Sequence, residues 1–173
     1  MTWLANILQQ LDAEGRRRHL RPMAGIDLAS NDYLGFAAHP ALRRRALEWI
    51  DSGGVIGAGG SRLLRGNHPA HESLEAFAAK FFGADKALYF SSGFQANYAL
   101  FSTLPARGDV IVYDALIHAS VRDGIKASNA AAVKFRHNDL NDCEAALKRA
   151  QEKAGQIFLA VESGYSMEGD IAP

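Results

Sequence analysis

The chain has 173 residues, no formal net charge and a single cysteine. That length buries a real core and normally makes one domain. The neutral balance gives no basis for a nucleic-acid or anionic-membrane partner, and one cysteine excludes an internal disulfide or a zinc cluster.

Trp3 to Gly15 is predicted to be an amphipathic helix, with Leu4, Ile7, Leu8 and Leu11 on one stripe and Gly15 ending it. A basic stretch, Arg16 to Arg21, follows. Ile26-Asp27-Leu28 is expected to be a short strand and Ser30-Asn31-Asp32-Tyr33-Leu34-Gly35 a turn. Pro40 opens a helix that runs to about Asp51, with Arg43-Arg44-Arg45 on its solvated face. Gly53 to Gly66 reads GGVIGAGGSRLLRG. Its apolar residues argue against a flexible linker. The absence of a preceding strand and a following helix argues against a dinucleotide fingerprint.

A third helix begins at Asn67-His68-Pro69 and ends at Gly83, with Leu74, Phe77, Ala78 and Phe81 as its buried stripe. Lys86 to Phe90 is an apolar, strand-like run. Ser91-Ser92-Gly93 is a polar turn, and a helix from Phe94 to Leu104 follows it, stopped by Pro105. Further on, Asp109–Tyr113, Ala131–Phe135 and Ile157–Val161 are strands. Helices run from the His118 loop to near Ser128 and from Leu140 to Lys153, the latter with Leu140, Cys143, Leu147 and Ala150 inward. This alternation predicts a three-layer α/β sandwich with a mainly parallel sheet and right-handed crossovers. Ligands of such sheets gather at the carboxyl ends of the strands. The Ser91-Ser92-Gly93 turn, the His118 loop and the Ser166 loop would all open there. A helix N-terminus with serine hydroxyls beside it is a seat for phosphate. No apolar run approaches the roughly 18 residues of a membrane span, and Met1 to Asn6 lacks a secretory pattern, so a cytoplasmic protein is expected.

Six stretches in order resemble one family. They are Ser30 to Gly35, Gly57 to Gly66, Ser91 to Asn97, Asp114 to Ser120, Arg136 to Asp139 and Glu162 to Asp170. Together they are similar to the α-oxoamine synthases, fold type I enzymes that use pyridoxal 5′-phosphate (PLP). The resemblance covers nearly the whole chain. It implies a helical arm and the start of a small domain over 1–52. Over 53–173 it implies the first part of a PLP-binding large domain of the aspartate aminotransferase type. By the same resemblance Gly93 and Phe94 meet the cofactor phosphate, and His118 stacks on the pyridine ring near the substrate. Ser166 hydrogen-bonds cofactor or substrate. Arg18, with Arg21 as the alternative, meets the acyl thioester, and Asn31 lies near the amino-acid carboxylate. The residues alone leave plainer roles open: His118 as a helix-capping or buried structural histidine, Ser166 as a turn serine, Asn31 as a turn-forming asparagine.

The implied reaction is the decarboxylative condensation of an amino acid with an acyl thioester of CoA or acyl carrier protein. The wording around His118 and His137 favours the branch that takes L-alanine and a pimeloyl thioester. Branches of the glycine C-acetyltransferase, 5-aminolevulinate synthase and serine palmitoyltransferase types share these motifs, and a non-catalytic relative that binds a partner subunit is the reading from another class. The family is homodimeric, and its glycine-rich loop reaches toward the other subunit's site. Its cofactor-binding lysine and pyridinium-pairing aspartate have no counterpart before Pro173. The 173 residues alone are therefore expected to lack catalysis and to leave apolar surface open.

Overall fold

The computed structural model describes residues 2–20, 22 and 24–173. They fall into two units, Met1–Gly66 and Asn67–Pro173, so the glycine-rich stretch belongs to the first.

In the first unit, α1 (Trp3–Ala13) forms as its periodicity predicts. Ile7 and Leu11 are half-buried, whereas Leu4 and Leu8 remain exposed. The strand expected at Ile26-Asp27-Leu28 does not form. The Asp27 carboxylate accepts the N–H groups of Ala29 and Ser30, both at 3.0 Å, and this local capture bends the chain into a turn. A single 3-10 turn, Phe36–Ala38, precedes α2 (Pro40–Asp51). Pro40 opens α2 where its missing N–H costs nothing, and His39 Nδ1 accepts the Ala41 N–H at 3.3 Å. The glycine-rich loop is closely folded: a Cβ at Gly66 would overlap the Gly60 carbonyl, and the Gly66 N–H donates to the Ser61 carbonyl at 2.9 Å.

The second unit contains α3 (Pro69–Phe82), α4 (Gly93–Thr103), β1 (Val110–Asp114), α5 (Ala119–Ala127), β2 (Ala131–Phe135), α6 (Leu140–Gln151) and β3 (Ile157–Ala160). The strands form one parallel sheet in the order β2-β1-β3. From β1 the chain steps to β2 through α5, then returns past β1 to β3 through α6. Right-handed crossovers in opposite directions put their helices on opposite faces, and the two cores agree. Val110 and Val112 pack with Phe135, Cys143, Ala146 and Ala150 on the α6 side. Ile111 packs with Ile117, Val121, Ile125 and Ala160 on the α5 side, joined by Phe101 of α4. A central strand buried on both faces explains why β1 is a continuous apolar run. Leu140, expected inward on α6, is exposed at the helix's first position.

Two expectations need correction. Lys86–Phe90 forms no strand and pairs with none among the described residues. It runs beside α3, where the Tyr89 N–H donates to Glu75 Oε1 at 2.9 Å and the Tyr89 and His71 rings stack. The stripe on α3 has the predicted period, yet Leu74, Phe77 and Phe81 are exposed and Ala79 is the helix's buried residue. All three sheet strands point the same way, so the loops after Asp114, Phe135 and Ala160 emerge along one edge.

Candidate active site

Helix α4 begins with an N-cap serine. Ser92 Oγ accepts the Gln95 N–H at 3.2 Å, while the Ser91 hydroxyl donates to Gln95 Oε1 at 2.5 Å. The N–H groups of Gly93 and Phe94 lie ahead of the first intrahelical bond and have no partner there. Gly93 and Phe94 are both exposed. Gly93 has no positive φ, and a Cβ built on it would meet nothing within 4 Å. The fold therefore does not demand glycine here, and the helix opens onto empty space. Replacing Ser92 with alanine is expected to cost about 1 kcal/mol through the lost cap, as thermal unfolding would measure.

His118 is the N-cap of α5. Its Nδ1 accepts the Ser120 N–H at 3.1 Å and lies 2.6 Å from Ser120 Oγ. The capping role is thus real, but the residue is exposed, and its Nε2 edge makes no hydrogen bond among the described residues. Ser120 is fully buried and accepts a hydrogen bond from Asn97 Nδ2 at 3.0 Å. Asn97 stands one turn after Gly93 in α4, so Ser120 ties the cap of one helix to the first turns of the other. The His118 backbone N–H also donates to the Glu162 carboxylate, from the loop after β3.

A second cluster binds the same edge together. Asp114, at the end of β1, is fully buried. Its Oδ1 accepts the Leu116 N–H and lies 2.8 Å from His137 Nδ1, and its Oδ2 accepts the Asn138 N–H at 3.0 Å. His137 Nε2 lies 2.9 Å from Asp170 Oδ2. Asn138, held at φ +52°, donates to the same Asp170 oxygen at 3.0 Å. The ring of Tyr165 meets the His137 ring edge-to-face at 4.5 Å. With a carboxylate oxygen against each ring nitrogen, only the imidazolium donates at both ends.

The charge states follow from these contacts. The hydrogen bond to Asp114, then that to Asp170, raises the His137 pKa above that of an ordinary imidazole. Burial pushes the Asp114 carboxyl up, but the N–H groups of Leu116 and Asn138, together with His137, outweigh it and leave the value lowered. A raised histidine stabilises the fold fully below its unfolded pKa and loses that contribution as pH rises through the folded one. A lowered aspartate contributes above its unfolded pKa and loses that contribution as pH falls through the folded one. The cluster's contribution should therefore be greatest between roughly pH 4 and pH 6.5. Denaturant titrations of the wild type across pH, compared with His137→Gln, check this window.

Gly93, Phe94, His118 and Ser166 all lie in the second unit. Bonds through Asn97, Ser120 and Glu162 link α4, the His118 cap and the loop that leads to Ser166. Ser166 itself sits exposed in a turn between Tyr165 and Asp170. Arg18 and Asn31 lie exposed in the first unit. Arg16 and Arg17 pair with Glu14 and Asp12, whereas Arg18 forms no ion pair among the described residues. Arg21 lies outside the described residues. The sequence alone assigned no role to Asp114, Glu162, Tyr165 or Asp170, and His137 stood out only within the Arg136 to Asp139 stretch that carries the resemblance. The signal available was an acidic residue closing an otherwise apolar strand.

The profile of the aminotransferase class I and II family matches residues 24–173. The chain belongs to that family. Among curated relatives, this aminotransferase-family chain is 45% identical to the 8-amino-7-oxononanoate synthase of Mycolicibacterium smegmatis, over 100% of this chain and 46% of that protein. It is 40% identical to the one from Geobacter sulfurreducens, over 98% of this chain and 46% of that protein. The chain thus spans about half the length of the curated relatives it matches. Among solved structures, a serine palmitoyltransferase from S. paucimobilis with PLP and myriocin bound superposes with a TM-score of 0.83 at 31% identity, covering 98% of this chain and 46% of that one. The 8-amino-7-oxononanoate synthase of Francisella tularensis gives a TM-score of 0.65 at 32% identity, covering 85% and 39%. The three-layer α/β architecture expected from the strand and helix alternation, and the aspartate aminotransferase type implied by the resemblance, are therefore those of PLP enzymes.

Proposed function

We propose that this chain is part of a PLP-dependent acyltransferase. The enzyme would condense L-alanine with a pimeloyl thioester, with loss of carbon dioxide, to give 8-amino-7-oxononanoate for biotin synthesis. The observation that carries the reading is the 45% identity to an 8-amino-7-oxononanoate synthase across the entire chain.

The residues present fit the phosphate and ring ends of the cofactor. The free amides of Gly93 and Phe94, the α4 dipole and the open space over Gly93 suit a phosphate dianion. His118 presents a flat, exposed imidazole already fixed through Nδ1, which leaves its face for a pyridine ring and its Nε2 edge for substrate. Ser166 would hydrogen-bond cofactor or substrate. No described lysine pairs into this cluster: Lys126 pairs with Asp123 and Lys148 with Glu144. When bound, PLP supplies an electron sink for the amino acid's Cα. Arg18 would bind a carboxylate or phosphate of the acyl thioester, whether a CoA or an acyl carrier protein thioester, through its planar guanidinium. Asn31 would lie near the amino-acid carboxylate. The assembly in this reading is a cytoplasmic homodimer without nucleic-acid or membrane partners, in which residues 1–52 form the arm and start of the small domain and 53–173 begin the PLP-binding domain.

The test supplies the native protein that carries this chain with PLP, L-alanine and pimeloyl-CoA. Release of CoA with formation of 8-amino-7-oxononanoate is expected, and no turnover would contradict the reading. The likeness to serine palmitoyltransferase structures favours one second reading, an α-oxoamine synthase of another branch. Turnover of serine or glycine in place of alanine would select it.

A further inference from the structure

His137, in the loop after β2, contacts both the end of β1 and the loop after β3 at the carboxyl edge of the sheet. Through Nδ1 it holds Asp114, whose Oδ1 also takes the Leu116 N–H at 2.8 Å and so shapes the lead-in to His118. Through Nε2 it holds Asp170, and its ring packs edge-to-face with that of Tyr165. Tyr165 and Asp170 are the two ends of the turn that carries Ser166. That turn is closed by the Tyr165 N–H on the Asp170 carbonyl at 2.9 Å and by the Gly169 N–H on the Tyr165 carbonyl at 2.8 Å. Both ends of the Ser166 turn are therefore pinned to one imidazole, whose other nitrogen is pinned to the strand that launches His118. The groups facing this imidazole are Asp114 from β1 and Asp170 and Tyr165 from the loop after β3. Its chain neighbour Arg136 is engaged away from it, with Asp139 and Asp142.

We propose that His137 is a positioning residue that sets the spacing between His118 and Ser166, by bridging Asp114 to Asp170. The inference rests on the proposed PLP chemistry only for its effect on catalysis; the bridge itself is a property of the fold. A neutral side chain of similar size does not replace it, because glutamine offers hydrogen-bond donors at one end only and phenylalanine offers none.

The test uses the native protein that carries this chain, as wild type, His137→Gln and Asp170→Asn. Hydrogen exchange is followed at residues 162–170 without substrate. Loss of one charge-assisted bond should speed exchange there about tenfold in both variants, with exchange in β1 and α6 unchanged in Asp170→Asn. With PLP bound, the visible circular dichroism of the cofactor should weaken, and kcat should fall more than the KM for the amino acid rises. Unchanged exchange and dichroism in both variants would overturn the proposal. If His137→Gln fails to fold, Asp170→Asn decides alone, since that side chain is about half exposed. If the wild type neither binds PLP nor turns over, the functional reading fails while the exchange data still decide the bridge.

Discussion

Replacing Gly93 with valine is expected to weaken PLP binding about 100-fold or more, since each hydrogen bond to a charged group is worth about 1.5–3 kcal/mol. The stability of the fold should barely change. Glycine is commonly retained because φ is positive or because a neighbour crowds the Cα. Neither holds at Gly93, which has no positive φ and nothing within 4 Å of a built Cβ. A side chain there meets only what approaches the helix from outside. If that visitor is the cofactor phosphate, valine lifts it off the amides of Gly93 and Phe94. Equilibrium titration with PLP, set beside thermal unfolding of the apoprotein, separates the two effects. Equal PLP affinity in wild type and variant would show that the phosphate is held elsewhere.

Gly124→Val should have the opposite signature, a loss of about 2–3 kcal/mol of stability from overpacking. A Cβ at this buried α5 position would lie 3.0 Å from Phe101 Cβ, 3.0 Å from the Tyr98 carbonyl oxygen and 3.2 Å from that of Asn97. Two of those three neighbours are α4 backbone, which cannot turn aside as a side chain can. Valine adds two further methyl groups, so α4 and α5 must separate. Their separation lengthens the 3.0 Å bond from Asn97 to Ser120 and loosens the His118 cap. Denaturant unfolding checks the stability, and PLP titration should register a smaller, secondary loss of affinity. Wild-type stability in this variant would mean that the two helices are not packed through Gly124.

Much of the second unit could be anticipated because its signals are local. Ala131–Phe135 is bounded by turn residues and forms β2 with the predicted limits. Asp109–Tyr113 was displaced by a single residue, to Val110–Asp114. Lys86–Phe90 has the same apolar character, but a strand exists only where another backbone pairs with it, and composition is silent about the partner. Likewise the period of Leu74, Phe77 and Phe81 shows that α3 has an apolar face but not what covers it. Gly93 stood out as the polar turn that opens a helix, whereas a site role for His118 came from the family resemblance, the residues alone leaving a helix-capping histidine open. Asp114, His137 and Asp170 lie 23 and 33 positions apart along the chain. Only the folding of three parallel strands to one edge makes them neighbours, so no window of sequence could display them together.

The central claim is that the opening amides of α4 grip an anionic cofactor beneath the His118 ring. A crystal structure of the native protein that carries this chain, grown with PLP, tests it most directly. The account predicts phosphate oxygens about 3 Å from the backbone nitrogens of Gly93 and Phe94, with the His118 imidazole lying against the pyridine ring. A phosphate bound away from the α4 N-terminus, or a His118 ring turned from the cofactor, would contradict it.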